Sequence, residues 1–432
     1  MNPRSIAFHH FGCKVNYAEA SSLSRQFRDK GYTLTDFHRK ADIYVISTCV
    51  VTAVAEKKCL AAIRQAHKLN PEARIAVIGC FSELKPGQLA GMEGVDLVLG
   101  HNGKFNLLKE LENLDHHKDY HGGLTEDIKA AKGTFIPSFS MGDRTRSFLK
   151  IQDGCDYYCS YCTIPLARGH SRSDSIENVL KNAREIAANG IREIVLTGVN
   201  IGDFGRKEGA HFLELIRSIE AEIDIPRIRI SSIEPDLLSD DIIDFVAASS
   251  RFLPHFHIPL QSGSNRILKA MHRRYNRELY AGRVEKIRSV SPFACIAADV
   301  IVGFPGETDE DFMDTFRFLE ALPLSYMHVF TYSQRENTRA ANLLNPVEGK
   351  IKKERSDLLH QLSVRKKELF YDLNKGRLVN VLFESSDTNG FMHGFSENYI
   401  RVKTSFNPDH INDIIPVSLD NLDNDGIYRT DL

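Results

Sequence analysis

Cys155, Cys159 and Cys162 form a C-x3-C-x2-C array with Tyr157, Tyr158 and Tyr161 set between them. Three thiolates this close together can wrap one corner of an iron-sulfur cube. A 4Fe-4S cluster is normally held by four cysteines, so a triplet without a fourth neighbour leaves one iron open to a non-protein ligand. Chemistry would start at that iron. Zinc is the alternative, but structural zinc sites close a tetrahedron with paired Cys or Cys/His knuckles. Here no second knuckle follows, and the next cysteine is Cys295.

A second set is dispersed: Cys13 follows Phe11-Gly12, Cys49 follows Ser47-Thr48, and Cys80 follows Ile78-Gly79. The elements that must position them can be read from the apolar periodicity. Strands are expected at 6–11, 42–47, 74–79 and 96–99. Helices are expected at 18–30, closed by Gly31, and at 53–69, with Pro71 as a stop. Such alternation predicts an α/β, doubly wound parallel sheet, with ligands beyond the carboxyl ends of its strands. All three cysteines fall at that edge. A single free cysteine there is ordinarily core, but three equivalent positions predict a second metal site. Cys59, inside a helical run, and Cys295, entering a strand, lack this setting and are expected in the core.

From 146 onward strands (147–152, 193–197, 227–233, 256–259, 296–302, 327–331) alternate with helices (175–189, 212–221, 264–271, 277–290, 310–319). Six such units predict a partial (β/α)6 barrel whose reactive rim is the C-terminal one. The turns there carry Thr197-Gly198, Glu234, Gln261 and Gly303-Phe304. These residues, with Tyr161 of the cysteine loop, are the expected cofactor-binding set. Thr197, Glu234 and Gln261 offer polar groups, and Gly303 would let backbone approach an adenine. The intervening 111–145 reads as a linker, and its run Asp115-His116-His117-Lys118-Asp119-Tyr120-His121 as a solvated loop. Beyond Pro346, residues 350–375 form an amphipathic helix with Ile351, Leu358, Leu359, Leu362, Leu369, Phe370 and Leu373 on its apolar face. Lys352, Lys353, Arg355, Arg365, Lys366 and Lys367 lie on the other. Residues 378–432 turn β-rich and predict a small antiparallel barrel. The expected domains are 1–110, 146–374 and 375–432, joined by the linker.

The 432 residues suffice for two or three cores, and a net charge of -2 gives no global basic signature. A polynucleotide partner must therefore be met by local patches. No leader-like or membrane-length apolar run occurs, which predicts a soluble, cytoplasmic protein. Eight cysteines in so long a chain fit metal ligation in a reducing compartment better than disulfides.

Gly12-Cys13-Lys14-Val15-Asn16, Thr48-Cys49-Val50-Val51-Thr52, Gly79-Cys80, the C-x3-C-x2-C loop, and its continuation through Thr163-Ile164-Pro165 and Ala167-Arg168-Gly169 together resemble the radical S-adenosylmethionine (SAM) methylthiotransferases. The resemblance covers essentially the whole chain and includes a C-terminal module similar to the TRAM domain. It implies that Cys155, Cys159 and Cys162 bind the 4Fe-4S cluster that cleaves SAM to a 5'-deoxyadenosyl radical. It also implies that Cys13, Cys49 and Cys80 bind an auxiliary 4Fe-4S cluster that delivers sulfur, so that a C–H bond becomes C–S–CH3. Within that family the substrate is threonylcarbamoyladenosine in tRNA, isopentenyladenosine in tRNA, or an aspartate of a ribosomal protein. Lys14-Val15 resembles the first branch, which implies the anticodon stem-loop of tRNA as partner and a reductant such as flavodoxin or ferredoxin. The protein is expected to act as a monomer. The tail carries only Arg401, Lys403 and Arg429 against nine acidic residues after 378. RNA contact is therefore expected from Arg168, Arg172, Lys352, Lys353, Lys366 and Lys367. The competing class is a non-catalytic iron-sulfur carrier or sensor with two clusters.

Overall fold

The computed structural model describes residues 4–116, 134–142 and 145–432. The chain divides into two compact units. The first takes residues up to Met141 with Gln152–Tyr158 and Cys162–Ser173; the second takes Gly142–Ile151, Cys159–Tyr161 and Asp174–Leu432. The C-x3-C-x2-C loop is thus shared between them in sequence. The C-terminal segment falls inside the second unit.

In the first unit β1 (Ser5–His10), α1 (Lys14–Asp29), β2 (Thr33–Thr35), β3 (Ile43–Thr48), α2 (Ala53–Leu69), β4 (Arg74–Gly79), α3 (Cys80–Leu84), α4 (Pro86–Ala90), β5 (Val95–Leu99) and α5 (Leu107–His116) follow in order. The sheet runs β2-β1-β3-β4-β5, all parallel. All six residues of β3 are buried, as a strand covered on both faces requires. Tyr44 and Ile46 face one apolar cluster with Ile63 and Ala66 of α2, while Ile43 and Val45 face another with Leu23, Phe27 and Leu111.

The short β2 escaped the sequence reading, and α1 starts at Lys14 rather than 18. Helix α5 runs past 110 into the expected linker, so Asp115 and His116 belong to its last turn. Residues 117–121 of the same polar run lie outside the described residues. Within 134–142, the carbonyl of Phe139 accepts from Ser22 and Arg25 of α1 at 3.0 and 2.8 Å, so that stretch is packed onto the first unit.

In the second unit six strands are hydrogen-bonded in chain order: β6 (Arg146–Lys150), β7 (Glu193–Thr197), β8 (Arg227–Ile230), β9 (His255–His257), β10 (Cys295–Val302) and β11 (Tyr326–Thr331). The bridges Ile228–Phe252 and Ser232–His257 join β8 to the β9 region. Every pairing among these six strands is parallel, so this is a curled half-barrel. Ser175, Ser239, Ser264, Asn276 and Thr308 each cap a following helix through the side-chain oxygen. The long helix Gly349–Leu373 packs beside β11.

The tail folds as β12 (Leu378–Thr388), β13 (Phe391–Ser396), β14 (Arg401–Ser405), β15 (Ile414–Ser418), β16 (Asn421–Leu422) and β17 (Tyr428–Arg429). They form one sheet ordered β15-β12-β13-β14-β17-β16, antiparallel except for β14 with β17. It is tied to the barrel by charge. Glu193 of β7 is fully buried and accepts from Arg227 at 2.8 Å and Arg229 at 3.0 Å. Arg227 spends its remaining donors on the carbonyls of Asn380, Phe395 and Ser396 at 2.9 to 3.1 Å. Burial alone would raise the Glu193 pKa, but Arg229, Arg227 and Arg146 outweigh it and hold the carboxyl down to about 2.

Candidate metal and cofactor sites

Each of the three dispersed cysteines sits where a strand of the first sheet gives way to a turn. Cys13 precedes α1, Cys49 directly follows β3, and Cys80 opens α3 at the end of β4. Since β1, β3 and β4 are neighbours, the fold brings the three to one edge. The strand order 2-1-3-4-5 reverses between β1 and β3, the crevice where doubly wound sheets bind ligands. Gly12, at φ +95°, is needed there: a Cβ on it would stand 2.9 Å from the Cys49 sulfur. Gly79, at φ +106°, likewise has no room for one against the Thr48 carbonyl.

Beside the thiols lies a buried charge network that the sequence did not reveal. Arg168 is 1% exposed; its Nε donates to the Cys80 sulfur at 3.3 Å, and its Nη atoms reach Asp153 at 2.9 Å, Glu19 at 3.1 Å and Asn16. Lys104 pairs with Glu19 at 2.5 Å and Arg172 with Asp153 at 3.1 Å. Burial and the charge of Lys104 lower the His101 pKa to about 3, so His101 is neutral. Among the described residues these ion pairs set Arg168, Lys104 and Arg172 against Glu19 and Asp153, with Arg168 in contact with Cys80. Burial pushes the Cys80 thiol up, with Arg168 and Lys104 pulling it back; burial pushes Cys49 up to about 12. Burial thus favours the protonated thiols, and binding a metal there would release those protons. Arg168 and Arg172, expected on RNA, are instead internal to this network, because Glu19 and Asp153 demand cations where water is excluded. Cys59 is fully buried in the apolar cluster beneath α2, with its sulfur 3.5 Å from the Cys49 amide nitrogen.

Of the loop cysteines, the backbone amide of Cys155 is anchored on the Gly169 carbonyl at 3.1 Å, and Gly154 at φ +68° permits the turn. Cys162 is half-buried. In the second unit Cys159 accepts from Arg273 Nη1 at 3.0 Å. Arg273 also reaches Tyr161 at 3.4 Å, Tyr275 at 3.1 Å and Glu234. Burial pushes the Glu234 carboxyl up to about 7 against the pull of Arg273. The barrel thus gathers Cys159, Tyr161 and Glu234 round an arginine that the sequence reading passed over. Its place three residues before Asn276, the cap of the next helix, was the available signal.

Thr197 and Ser231, at the ends of β7 and β8, each bury a hydroxyl oxygen that has no hydrogen-bond partner among the described residues. Orphaned hydroxyls at a barrel's C-terminal rim are what a polar cofactor would satisfy. Gly198 is half-buried beside Thr197. Gln261 sits at φ +70°, fixed by backbone bonds to Asp299 and Ile301 at 2.8 and 2.9 Å. Gly303 has a different use from the one expected: its missing Cβ makes room for the stem of Lys352, whose Nζ lies over the Tyr332 ring at 5.3 Å. Phe304 is fully buried in an apolar cluster against which Tyr161 packs.

The basic stripe also needs correction. The buried line of the helix Gly349–Leu373 runs through Arg355, Leu359, Leu362, Lys366 and Phe370, while Leu358, Leu369 and Leu373 are exposed. Arg355 pairs with Glu307 at 2.6 Å. Lys366 donates to the carbonyls of Glu320 and Leu322 at 2.7 and 2.6 Å, capping the end of the helix Asp309–Ala321. Lys352 is half-buried, and Lys353 is exposed and paired with Asp357 at 2.6 Å.

Comparison with known proteins agrees with this arrangement. Residues 149–319 match the radical SAM superfamily, and residues 5–100 match the uncharacterized protein family UPF0004. The chain is 36% identical to the threonylcarbamoyladenosine tRNA methylthiotransferase MtaB of Bacillus subtilis, covering 96% of this chain and 93% of that one. It is also 36% identical to the protein of the same name from Aquifex aeolicus, over 92% and 96%. A tRNA-2-methylthio-N(6)-dimethylallyladenosine synthase of Endomicrobium trichonymphae is 34% identical over 80% of each chain. Among solved structures, the radical S-adenosylmethionine methyltransferase TsrM of Kitasatospora setae shares the fold, with a TM-score of 0.56 at 16% identity over 76% of this chain and 75% of that one.

Proposed function

The chain belongs to the threonylcarbamoyladenosine branch of the radical SAM tRNA methylthiotransferases, and from that membership we propose that it converts N6-threonylcarbamoyladenosine beside the tRNA anticodon to its 2-methylthio derivative. The reading is carried by the nearly full-length similarity to proteins of that name. The meeting of Cys13, Cys49 and Cys80 at one sheet edge supports it.

The purine C2–H bond has neither acidity nor a leaving group for polar catalysis to use, so a radical route is needed. Bound at Cys155, Cys159 and Cys162, a 4Fe-4S cluster with SAM supplies hydrogen abstraction from such carbon, and a second cluster at Cys13, Cys49 and Cys80 supplies sulfur. The chain's own residues prepare these places. Arg273 holds the Cys159 sulfur and Glu234 together, and Thr197 and Ser231 offer hydroxyls to the polar parts of SAM. Arg168, Lys104 and Arg172 provide the positive surround that an anionic thiolate cluster requires. The partner is tRNA, met by local surfaces rather than net charge, and the small C-terminal sheet serves as a TRAM-like module. The reductant is a flavodoxin or ferredoxin, the working form a monomer, and the compartment the cytoplasm. Among the described residues no helix is long and apolar enough to cross a membrane.

The test is anaerobic. The reconstituted protein is incubated with tRNA carrying threonylcarbamoyladenosine, SAM, sulfide and reductant, and its nucleosides are identified by mass spectrometry. The methylthio form of threonylcarbamoyladenosine is the expected product. If isopentenyladenosine alone gains the group, the substrate assignment fails. SAM cleavage with every nucleoside unchanged points to a protein substrate.

A further inference from the structure

Most of the cations first expected on RNA are engaged within the protein, and a set with no such engagement lies on the first unit. Helix α2 buries Cys59, Ala62, Ile63 and Ala66 against the sheet. Its opposite face, exposed between residues 53 and 68, carries Lys57, Lys58, Arg64 and Lys68 and no carboxylate. Among the described residues none of these four side chains enters an ion pair or a hydrogen bond. Glu56, the acid of the first turn, is half-buried, and its charge is felt by Cys59. Arg64 and Lys68 stand one helical turn apart, a spacing at which like charges repel. A helix face that is merely solvated mixes its signs, and a chain of net charge -2 has acids enough to do so. Four like charges on one face are unfavourable for the protein alone, and a row of anions laid along them reverses that sign.

The face begins at the edge that holds Cys13, Cys49 and Cys80. Thr52, three residues after Cys49, caps α2 by accepting from the Ala55 amide at 3.1 Å. Val51 and Val54, 51% and 62% exposed, stand between Cys49 and the first lysine. From Lys57 the row then runs about 17 Å along the helix to Lys68, at 1.5 Å per residue. Gln65, 2.9 Å from His38, brings the exposed Arg39 to its flank, where Asp36 is held on the His38 amide at 2.8 Å. A row of cations that starts at a reaction site suits a polyanion of which one unit reacts. Phosphates would follow the lysines and Arg64, while the two valines offer apolar contact to the sugar or base nearest the cysteines.

This inference deepens the proposed function and rests on it for the identity of the RNA. We propose that the exposed face of α2 is a phosphate track for tRNA, with Lys57, Lys58, Arg64 and Lys68 holding the backbone that leads away from the adenosine at the Cys13, Cys49 and Cys80 edge. An acidic redox protein would also be drawn to cations. The length of the row, and its start at the site proposed to deliver sulfur rather than at the loop of Cys155, Cys159 and Cys162, favour the nucleic acid.

The experiment titrates the reconstituted holoenzyme anaerobically, without reductant, with tRNA carrying threonylcarbamoyladenosine over a range of salt. K57Q/K58Q/R64Q/K68Q, with its fold checked by iron content and unfolding midpoint, should bind at least about tenfold more weakly than the native protein at about 0.1 M salt. The slope of log K against log salt should be flatter by about 2–3. K181Q/R192Q/R217Q, which removes exposed cations from the second unit, should stay within about twofold of native affinity. Native affinity and slope in the α2 variant overturn the assignment. An equal loss in the second-unit variant also overturns it, since binding would then follow overall charge rather than this face. So does native tRNA binding by the α2 variant with a fall in flavodoxin-driven turnover alone, dithionite-driven turnover being unchanged, because the face would then serve the reductant. Methylthiolation by the native protein, followed in parallel, reads the function separately: weakened tRNA binding in the α2 variant, with no methylthio product from the native protein, removes the function and leaves the track.

Discussion

Two buried arginines each place an N–H on a cysteine sulfur, and they do so in opposite electrostatic company. Arg168 donates to Cys80 at 3.3 Å amid Lys104 and Arg172, with two carboxylates facing three cations. Arg273 donates to Cys159 at 3.0 Å but is matched by Glu234, and its remaining neighbours are the phenols of Tyr161 and Tyr275. Among the described residues one thiol thus lies in ion pairs with more cations than carboxylates, and the other beside one arginine facing one carboxyl. Charge and hydrogen bonds around the sulfurs set how readily a cluster is reduced. The contrast therefore assigns the higher midpoint potential to the site at Cys13, Cys49 and Cys80. A lower potential there, in an EPR-monitored titration, would break the comparison.

The largest effect should come from the ligands. C80A and C159A should each lose roughly half the bound iron if, as proposed, each site holds one four-iron cluster, and both should abolish methylthiolation. C80A should still cleave SAM and C159A should not. Iron content unchanged in C80A would remove the second site. Next come the arginines themselves. R168Q leaves Lys104 on Glu19 and Arg172 on Asp153 but removes the charge-assisted bonds that Arg168 gives both carboxylates, at a cost of about 3–5 kcal/mol for the two, read as a large fall in the unfolding midpoint of the apo protein. R273Q strands the single carboxylate Glu234, which can take up a proton, and should lower that midpoint by less. Equal losses would mean that the two networks do not differ as drawn.

A smaller effect tests the close approach at the first site. G12A puts a Cβ 2.9 Å from the Cys49 sulfur at a backbone φ of +95°. It should cost about 1–3 kcal/mol and reduce iron retention at that site while sparing the other. Smaller again is the contrast along the helix Gly349–Leu373. K366M removes the donor to two helix-end carbonyls and should cost about 1–2 kcal/mol; K353M should leave the unfolding midpoint unchanged.

How much of this was legible in the chain depends on what each feature obeys. The two cysteine sets could be read because thiol spacing and strand ends follow local rules: a short apolar run, then glycine or threonine, then cysteine. The six parallel barrel strands were legible for the same reason. Arg168 and Lys366 were not. In sequence each is a cation among polar neighbours, and both became internal through acceptors far along the chain: Glu19, 149 residues from Arg168, and carbonyls 46 and 44 residues from Lys366. The helix was misread for a related reason. Its exposed Leu358 and Leu369 made an attractive apolar stripe, while the stripe the fold buries contains Arg355 and Lys366, whose charges are answered by groups on other elements.

Arg227 and Arg229 grip the C-terminal sheet almost wholly through main-chain oxygens, of Asn380, Phe395, Ser396 and Glu397. Those carbonyl bonds are blind to side-chain identity, while Arg229 over the Tyr399 ring at 4.8 Å and Arg146 paired with Glu384 at 2.9 Å tie the joint to only two side chains of the sheet among these contacts. Residues across the outer face of the sheet are therefore free to drift and to gain or shed charge, while its seat on the barrel stays where Glu193 and its arginines fix it. What the joint cannot tolerate is loss of the strands. A chain ending at 377 would leave Arg227 and Arg229 on Glu193 but without the sheet's main-chain oxygens, so the half-barrel and its small sheet should be gained, lost and inherited as one piece.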